Sequence, residues 1–155
     1  MKRLILFRHA DAQPPKEDMD DSLRVLTAQG EKSIRMIEHA FSNILRSYES
    51  VAIITSEYKR AIQTGEMLAA MVDSSITATA SCIQDGDLDA LMRIVDTYSQ
   101  DTIVVVGHQP YLSDFAFDLA GVSIPFEKAA AASFLLGSEY VRFEWYVTSE
   151  LLTRV

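Results

Sequence analysis

Three short apolar runs, each cut off by a polar cluster and followed by a helical pattern, constrain this chain more than any other feature. Residues 4–7 (LILF), 51–55 (VAIIT) and 102–106 (TIVVV) are almost wholly apolar and show no polar alternation. Runs of that length without alternation suit strands buried on both faces, and such strands require helices on both sides of their sheet.

The intervening segments supply the helices. Thr27 is placed to cap a helix whose apolar residues Ile34, Ile37, Phe41, Ile44, Leu45 and Tyr48 recur at three- and four-residue steps. After the second run, a polar turn at Ser56-Glu57-Tyr58 leads into a helix carrying Ile62, Met67, Leu68 and Met71. Residues 76–80 form a weaker strand candidate, and Asp85-Gly86-Asp87 turns into a helix through Leu88, Leu91, Ile94 and Val95. Pro110, just past Gly107-His108, suits the first turn of a helix reaching about Ala120. Residues 129–136 and 140–148 flank Gly137-Ser138 and predict a terminal hairpin, against the helical propensity of the alanine run. Residues 13–21 hold two prolines and four acids, and read as a loop.

Strands alternating with helices predict an α/β three-layer sandwich, its central sheet mostly parallel with an antiparallel C-terminal edge. No repeat or linker divides the chain, so residues 1–155 are expected to form one domain. In such sheets ligands bind beyond the carboxyl ends of the strands. Arg8-His9, the cluster from Ser56 to Arg60, and Gly107-His108 all fall at those ends.

Charge and cysteine content narrow the function. A net charge of −8 disfavours a nucleic-acid surface, which needs a basic face, so any anion site must be built locally. Cys82 stands alone, with no disulfide partner and no Cys/His cluster for zinc, which fits a reducing cytoplasm. The apolar run after Met1-Lys2-Arg3 stops at Arg8, too early for a signal peptide, and no stretch is long enough to be expected to span a membrane.

Two histidines and two arginines without metal-ligand spacing suit phosphoryl transfer through a covalent intermediate, with no metal or cofactor expected. Arginine offers a permanent charge and a planar donor fork, so Arg8 and Arg60 are matched to a phosphoryl dianion. Their charges also keep a neighbouring histidine neutral and nucleophilic. The bland alternatives are a surface Arg8-His9 pair, an Arg60 that merely pairs with Glu57 or Glu66, and a capping His108. His39 and Lys59 read as solvated.

Leu6-Phe7-Arg8-His9-Ala10, Ser56-Glu57-Tyr58-Lys59-Arg60-Ala61-Ile62-Gln63-Thr64 and Val105-Val106-Gly107-His108-Gln109-Pro110 together resemble the signatures of the histidine phosphatase superfamily. Asp21-Ser22-Leu23-Arg24-Val25-Leu26-Thr27-Ala28-Gln29-Gly30 is similar to the D-x-x-R-P-L-T-x-x-G stretch of its small phosphohistidine phosphatase (SixA-like) branch. The resemblance implies a phosphoglycerate mutase-like fold. It implies that His9 becomes phosphorylated, that Arg8 and Arg60 clamp the phosphoryl group and that His108 stabilises the transition state. Arg24 and Gln109 would be substrate contacts. Ala10 stands where a glycine commonly follows the nucleophile. The glutamate that acts as general acid in mutase-like members has no match, leaving Gln84, Asp85 and Asp87 in that region, of which either aspartate is a candidate acid.

That missing acid points to a phosphohistidine on a protein, whose labile P–N bond needs less protonation than an alkoxide does. The alternatives are a phosphatase of a small phosphate ester, using Asp85 or Asp87, and a catalytically weak phosphate-binding regulatory module.

Overall fold

The computed structural model describes every residue from Met1 to Val155. Its strands are β1 (Lys2–Arg8), β2 (Val51–Thr55), β3 (Ala78–Thr79), β4 (Thr102–Gly107), β5 (Ala131–Leu136) and β6 (Val141–Val147). Its helices are α1 (Ala28–Arg46), α2 (Lys59–Ala70), α3 (Ser81–Asp85), α4 (Leu88–Thr97), α5 (Tyr111–Ala120) and α6 (Ser149–Thr153). The six strands form one sheet in the order β3-β2-β4-β1-β5-β6. Pairs β3/β2, β2/β4 and β4/β1 are parallel, and β5 and β6 add antiparallel at the C-terminal side, as the strand pattern predicts.

Alternate residues of the central strands face opposite layers, and both faces are apolar. Ile5, Phe7, Ile53, Val104 and Val106 pack against Ile34, Ile37, Phe41 and Leu45 of α1 and Leu68 of α2. Leu4, Leu6, Ile54, Ile103 and Val105 pack against Ile83 of α3, Leu91 and Val95 of α4, and Leu112 and Phe115 of α5. Each such side chain contributes about 1.5–3 kcal/mol by leaving water, so neither face tolerates a charge. Thr27 caps α1 as expected, its hydroxyl accepting from the Gly30 amide at 3.0 Å.

Several boundaries differ from the sequence reading. The weak strand at 76–80 is only the two-residue β3, because it pairs with the end of β2 alone. Asp85, read as the start of a turn, instead closes the unpredicted helix α3, and Pro110 sits at the N-cap of α5, after a cis peptide bond, rather than inside the first turn. The alanine run is extended only from Ala131. Pairing of Ala131 and Ala132 with Phe7 and Leu6 of β1 overrides its helical propensity. Ala129, expected at the strand start, instead takes a left-handed φ of 57°, and its amide donates to the Arg8 carbonyl at 3.0 Å. No helix is long and apolar enough to cross a membrane.

The fold brings the polar clusters together through register. Arg8 of β1 pairs with Gly107 of β4, so the next residues, His9 and His108, emerge side by side. Thr55 of β2 pairs with Val106, so Ser56 and the α2 N-terminus arrive at the same edge. Two glycines permit the close packing this needs. A Cβ on Gly65 would lie 2.4 Å from Thr55 Cγ2, and one on Gly30 would lie 2.1 Å from the Asp11 carbonyl oxygen.

Candidate active site

At the carboxyl ends of β1, β2 and β4 lies a cavity of about 500 Å³ whose walls include Arg8, His9, Arg24, Arg60, His108 and Gln109, all six residues expected there. Asp11, Thr27, Pro14, Pro15 and Lys128 complete most of its rim. The rings of His9 and His108 stand 5.1 Å apart, and Tyr58 lies 5.1 Å from His108 on another side.

His9 is 8% exposed. Its Nδ1 lies 2.7 Å from the carbonyl oxygen of Ala10, which can only accept, so Nδ1 carries the proton and Nε2 keeps its lone pair. Burial first, then the charges of Arg60, Arg8 and Arg24, push the His9 pKa down to about 4. Burial likewise, followed by His9 and Arg60, pushes His108 down to about 3. The arginine charges expected to keep the histidine neutral thus act, but desolvation acts more strongly.

The arginines are held from behind. Arg8 donates from Nη1 to the Phe126 carbonyl at 2.9 Å. Arg60, 5% exposed, donates from Nη1 to the Asp21 carbonyl at 2.7 Å and from Nη2 to the Asp21 carboxylate at 3.0 Å. The same carboxylate accepts from Arg24 Nε at 2.7 Å, and Arg24 Nη1 donates to the Gln13 carbonyl at 2.7 Å. Arg60 therefore pairs with neither Glu57 nor Glu66. Buried donors are normally satisfied. Yet Arg8 Nε, Arg60 Nε and His108 Nδ1, all on residues lining this cavity, are buried without a protein partner.

Other expectations need correction. Asp87 is the N-cap of α4, its carboxylate accepting from the Ala90 amide at 3.1 Å, and Asp85 ends α3. Both lie in an acidic recess with Asp89 and Asp118, and neither lines the cavity. Gln84 is turned to Glu57, accepting from its amide at 2.9 Å and donating to its carboxylate at 2.8 Å. Gln109 lines the cavity, but both ends of its amide engage Ser113 on the first turn of α5. His39 and Lys59 are exposed.

The sequence reading gave no role to Asp21, Thr64 or Lys128, all of which lie near the site. Asp21 was legible as the acid three residues before Arg24 on the same motif. Thr64 accepts from the Ala10 amide at 3.2 Å and ties the loop after β1 to α2, a contact only the fold creates. Lys128 donates to Asp11 at 2.6 Å, while Thr27 donates to the other Asp11 oxygen at 2.7 Å. No local motif announces either contact.

The two histidines make a pH prediction. Their folded-state pKa values are depressed, so below about pH 6.5 the unfolded chain binds protons that the folded protein refuses. Their contribution is present above that pH and is lost progressively as pH falls through about 4 for His9 and about 3 for His108. Thermal unfolding recorded from about pH 7.5 to about pH 5 should show Tm falling with acid, and His108→Gln should flatten the slope. An unchanged slope in that variant would place its origin elsewhere.

No family model and no curated protein sequence matches the chain. Solved structures do. The protein histidine phosphatase SixA complexed with tungstate superposes with a TM-score of 0.80 at 24% identity, over 97% of this chain and 99% of that one. A candidate phosphohistidine phosphatase SixA from Agrobacterium tumefaciens gives 0.76 at 16% identity, over 95% and 97%. The phosphoserine phosphatase of Entamoeba histolytica, in complex with 3-phosphoglyceric acid, gives 0.69 at 14% identity, over 98% and 100%. The architecture is the phosphoglycerate mutase-like fold of the histidine phosphatases, as the resemblance implied.

Proposed function

We propose that this chain is a histidine phosphatase of the SixA-like kind, which removes phosphoryl groups through a phosphorylated His9 and acts preferentially on phosphohistidine carried by a protein. One observation carries the reading. Arg8, Arg60 and His108 line the same cavity as His9, and each keeps a buried side-chain nitrogen that no protein group satisfies. Two guanidinium groups and an imidazole gathered about one cavity suit the equatorial oxygens of a phosphoryl group in flight. That a structure of this fold holds tungstate, a tetrahedral oxyanion, supports the same reading.

In the first step, the His9 Nε2 lone pair attacks phosphorus. The new N–P bond forms as the bond to the leaving group breaks, and that group departs with its electron pair. Water then attacks the phosphorylated His9, phosphate leaves, and Nε2 regains its lone pair while the water proton passes to solvent. The arginines and His108 stabilise the charge on the transferring oxygens in both steps. Because Arg8 is held through Nη1 and Arg60 through both Nη groups, they lose little freedom when phosphoryl oxygens arrive.

The nearby carboxyls are poor acids. The Lys128 hydrogen bond, then that of Thr27, hold Asp11 below its ordinary range. Burial raises Asp21, but hydrogen bonds from Arg24 and Arg60 outweigh it and leave its pKa lowered. Both stay ionised near neutral pH, so a leaving imidazole is favoured over an alkoxide.

Turnover of a phosphohistidine-bearing protein should therefore exceed that of simple alkyl phosphates by at least about 100-fold in kcat/KM. It should also survive EDTA, because arginines supply the charge a metal would. Equal kcat/KM for the two substrate classes would favour a small-ester phosphatase, and loss of activity in chelator would show a metal requirement.

A further inference from the structure

Ser56 is fully buried just past β2, and the reaction scheme above does not use it. Its amide donates to the Val106 carbonyl at 3.1 Å, which fixes its place against β4. Its Oγ accepts from the Tyr58 amide at 3.2 Å and lies 2.6 Å from His108 Nε2. It has no other side-chain partner. His108 is itself 5% exposed, and its Nδ1 meets no protein group.

Two proton arrangements fit the short Ser56–His108 contact. If His108 donated from Nε2, the Ser56 hydroxyl proton would have no acceptor in a fully buried site, and Nδ1 would be an unpaired acceptor. If Ser56 donates to Nε2, its proton and the Nε2 lone pair are both satisfied, and only an Nδ1–H remains unpaired. The first arrangement strands two polar groups and the second strands one, so desolvation favours the second.

We propose that Ser56 is a positioning residue: its hydroxyl, oriented by the Tyr58 amide, donates to His108 Nε2 and holds the imidazole in the tautomer with its proton on Nδ1. His108 then meets the phosphoryl oxygens as a neutral donor whose direction is set before substrate arrives. This rests on the phosphatase reading for its catalytic consequence and on the unliganded protein alone for its chemistry. It also assigns a task to the serine that opens the second sequence cluster, where spacing alone suggests only a turn residue.

The test is 15N–13C correlation NMR of histidine side chains in the unliganded protein near neutral pH, beside steady-state kinetics. Wild-type His108 should show a protonated Nδ1 and an unprotonated Nε2. Ser56→Ala should shift the signal toward the Nε2–H form and lower kcat roughly ten- to a hundredfold, with a much smaller change in KM. Ser56→Thr, which keeps a hydroxyl, should restore the wild-type tautomer and part of kcat. A wild-type His108 protonated on Nε2 overturns the proposal even if no variant folds. So does a drop in kcat with the tautomer unchanged, which would reduce Ser56 to packing. Failure of the phosphatase reading would show separately, as no turnover of any phosphate compound by the wild-type protein.

Discussion

His9→Ala is expected to abolish turnover, with kcat falling at least about 10⁴-fold, since no other group in the cavity can carry the phosphoryl intermediate. His108 is the only other imidazole there, and its Nε2 is occupied by Ser56. The loss should leave the fold intact. His9 makes a single side-chain hydrogen bond, to the carbonyl of its own neighbour Ala10, and its ring abuts the cavity. Rapid quench of wild type with labelled substrate should trap acid-labile, base-stable phosphate, and the His9→Ala protein should trap none. A variant that kept full activity would end the covalent mechanism.

Arg60→Ala is expected to lower kcat about 10²–10³-fold, equivalent to roughly 3–4 kcal/mol of transition-state stabilisation. The guanidinium carries five donors, and Asp21 takes one from each Nη, leaving Nε and one proton on each Nη for a ligand. A flat fork anchored at its far end suits two phosphoryl oxygens without further ordering. Arg60→Lys should recover only a small part of the activity, because an ammonium cannot bond Asp21 and two phosphoryl oxygens in one plane. Measured with phosphohistidine and with an aryl phosphate, the loss should be similar, since the arginine meets the group common to both. Near-normal kcat/KM in Arg60→Ala would make this side chain a structural partner of Asp21 alone.

Asp21 shows how one motif divides into legible and illegible parts. Its neighbour Arg24 is recognisable by type and spacing, and the structure puts it in the cavity wall. That the Asp21 carboxylate also holds Arg60 depends on the loop from 13 to 21 folding back. The Gln13 amide donates to the Val25 carbonyl at 2.9 Å, and the Thr27 amide to the Asp11 carbonyl at 3.0 Å. Those bonds join residues with no local pattern to announce them.

Periodicity alone determined the layered α/β architecture, because a strand buried on both faces and a helix with one apolar stripe leave few ways to hide their surfaces. The identities of Arg8, His9, Arg60 and His108 were likewise written in the chain, since a strand end is where a parallel sheet exposes chemistry. The tertiary structure decided the rest. Short elements such as α3 and α6 have too few residues to show a period and are held by packing. Asp85 and Asp87 line a separate recess, Asp87 as the cap of α4, and the Gln109 amide was claimed by Ser113. Which nitrogen of His9 is free, and which donors are left without a partner, depends on contacts set to within an ångström by strand register. A hydrogen bond is lost over such a distance, whereas hydrophobic burial tolerates it, so the fold was readable from composition and spacing while the state of the site was not.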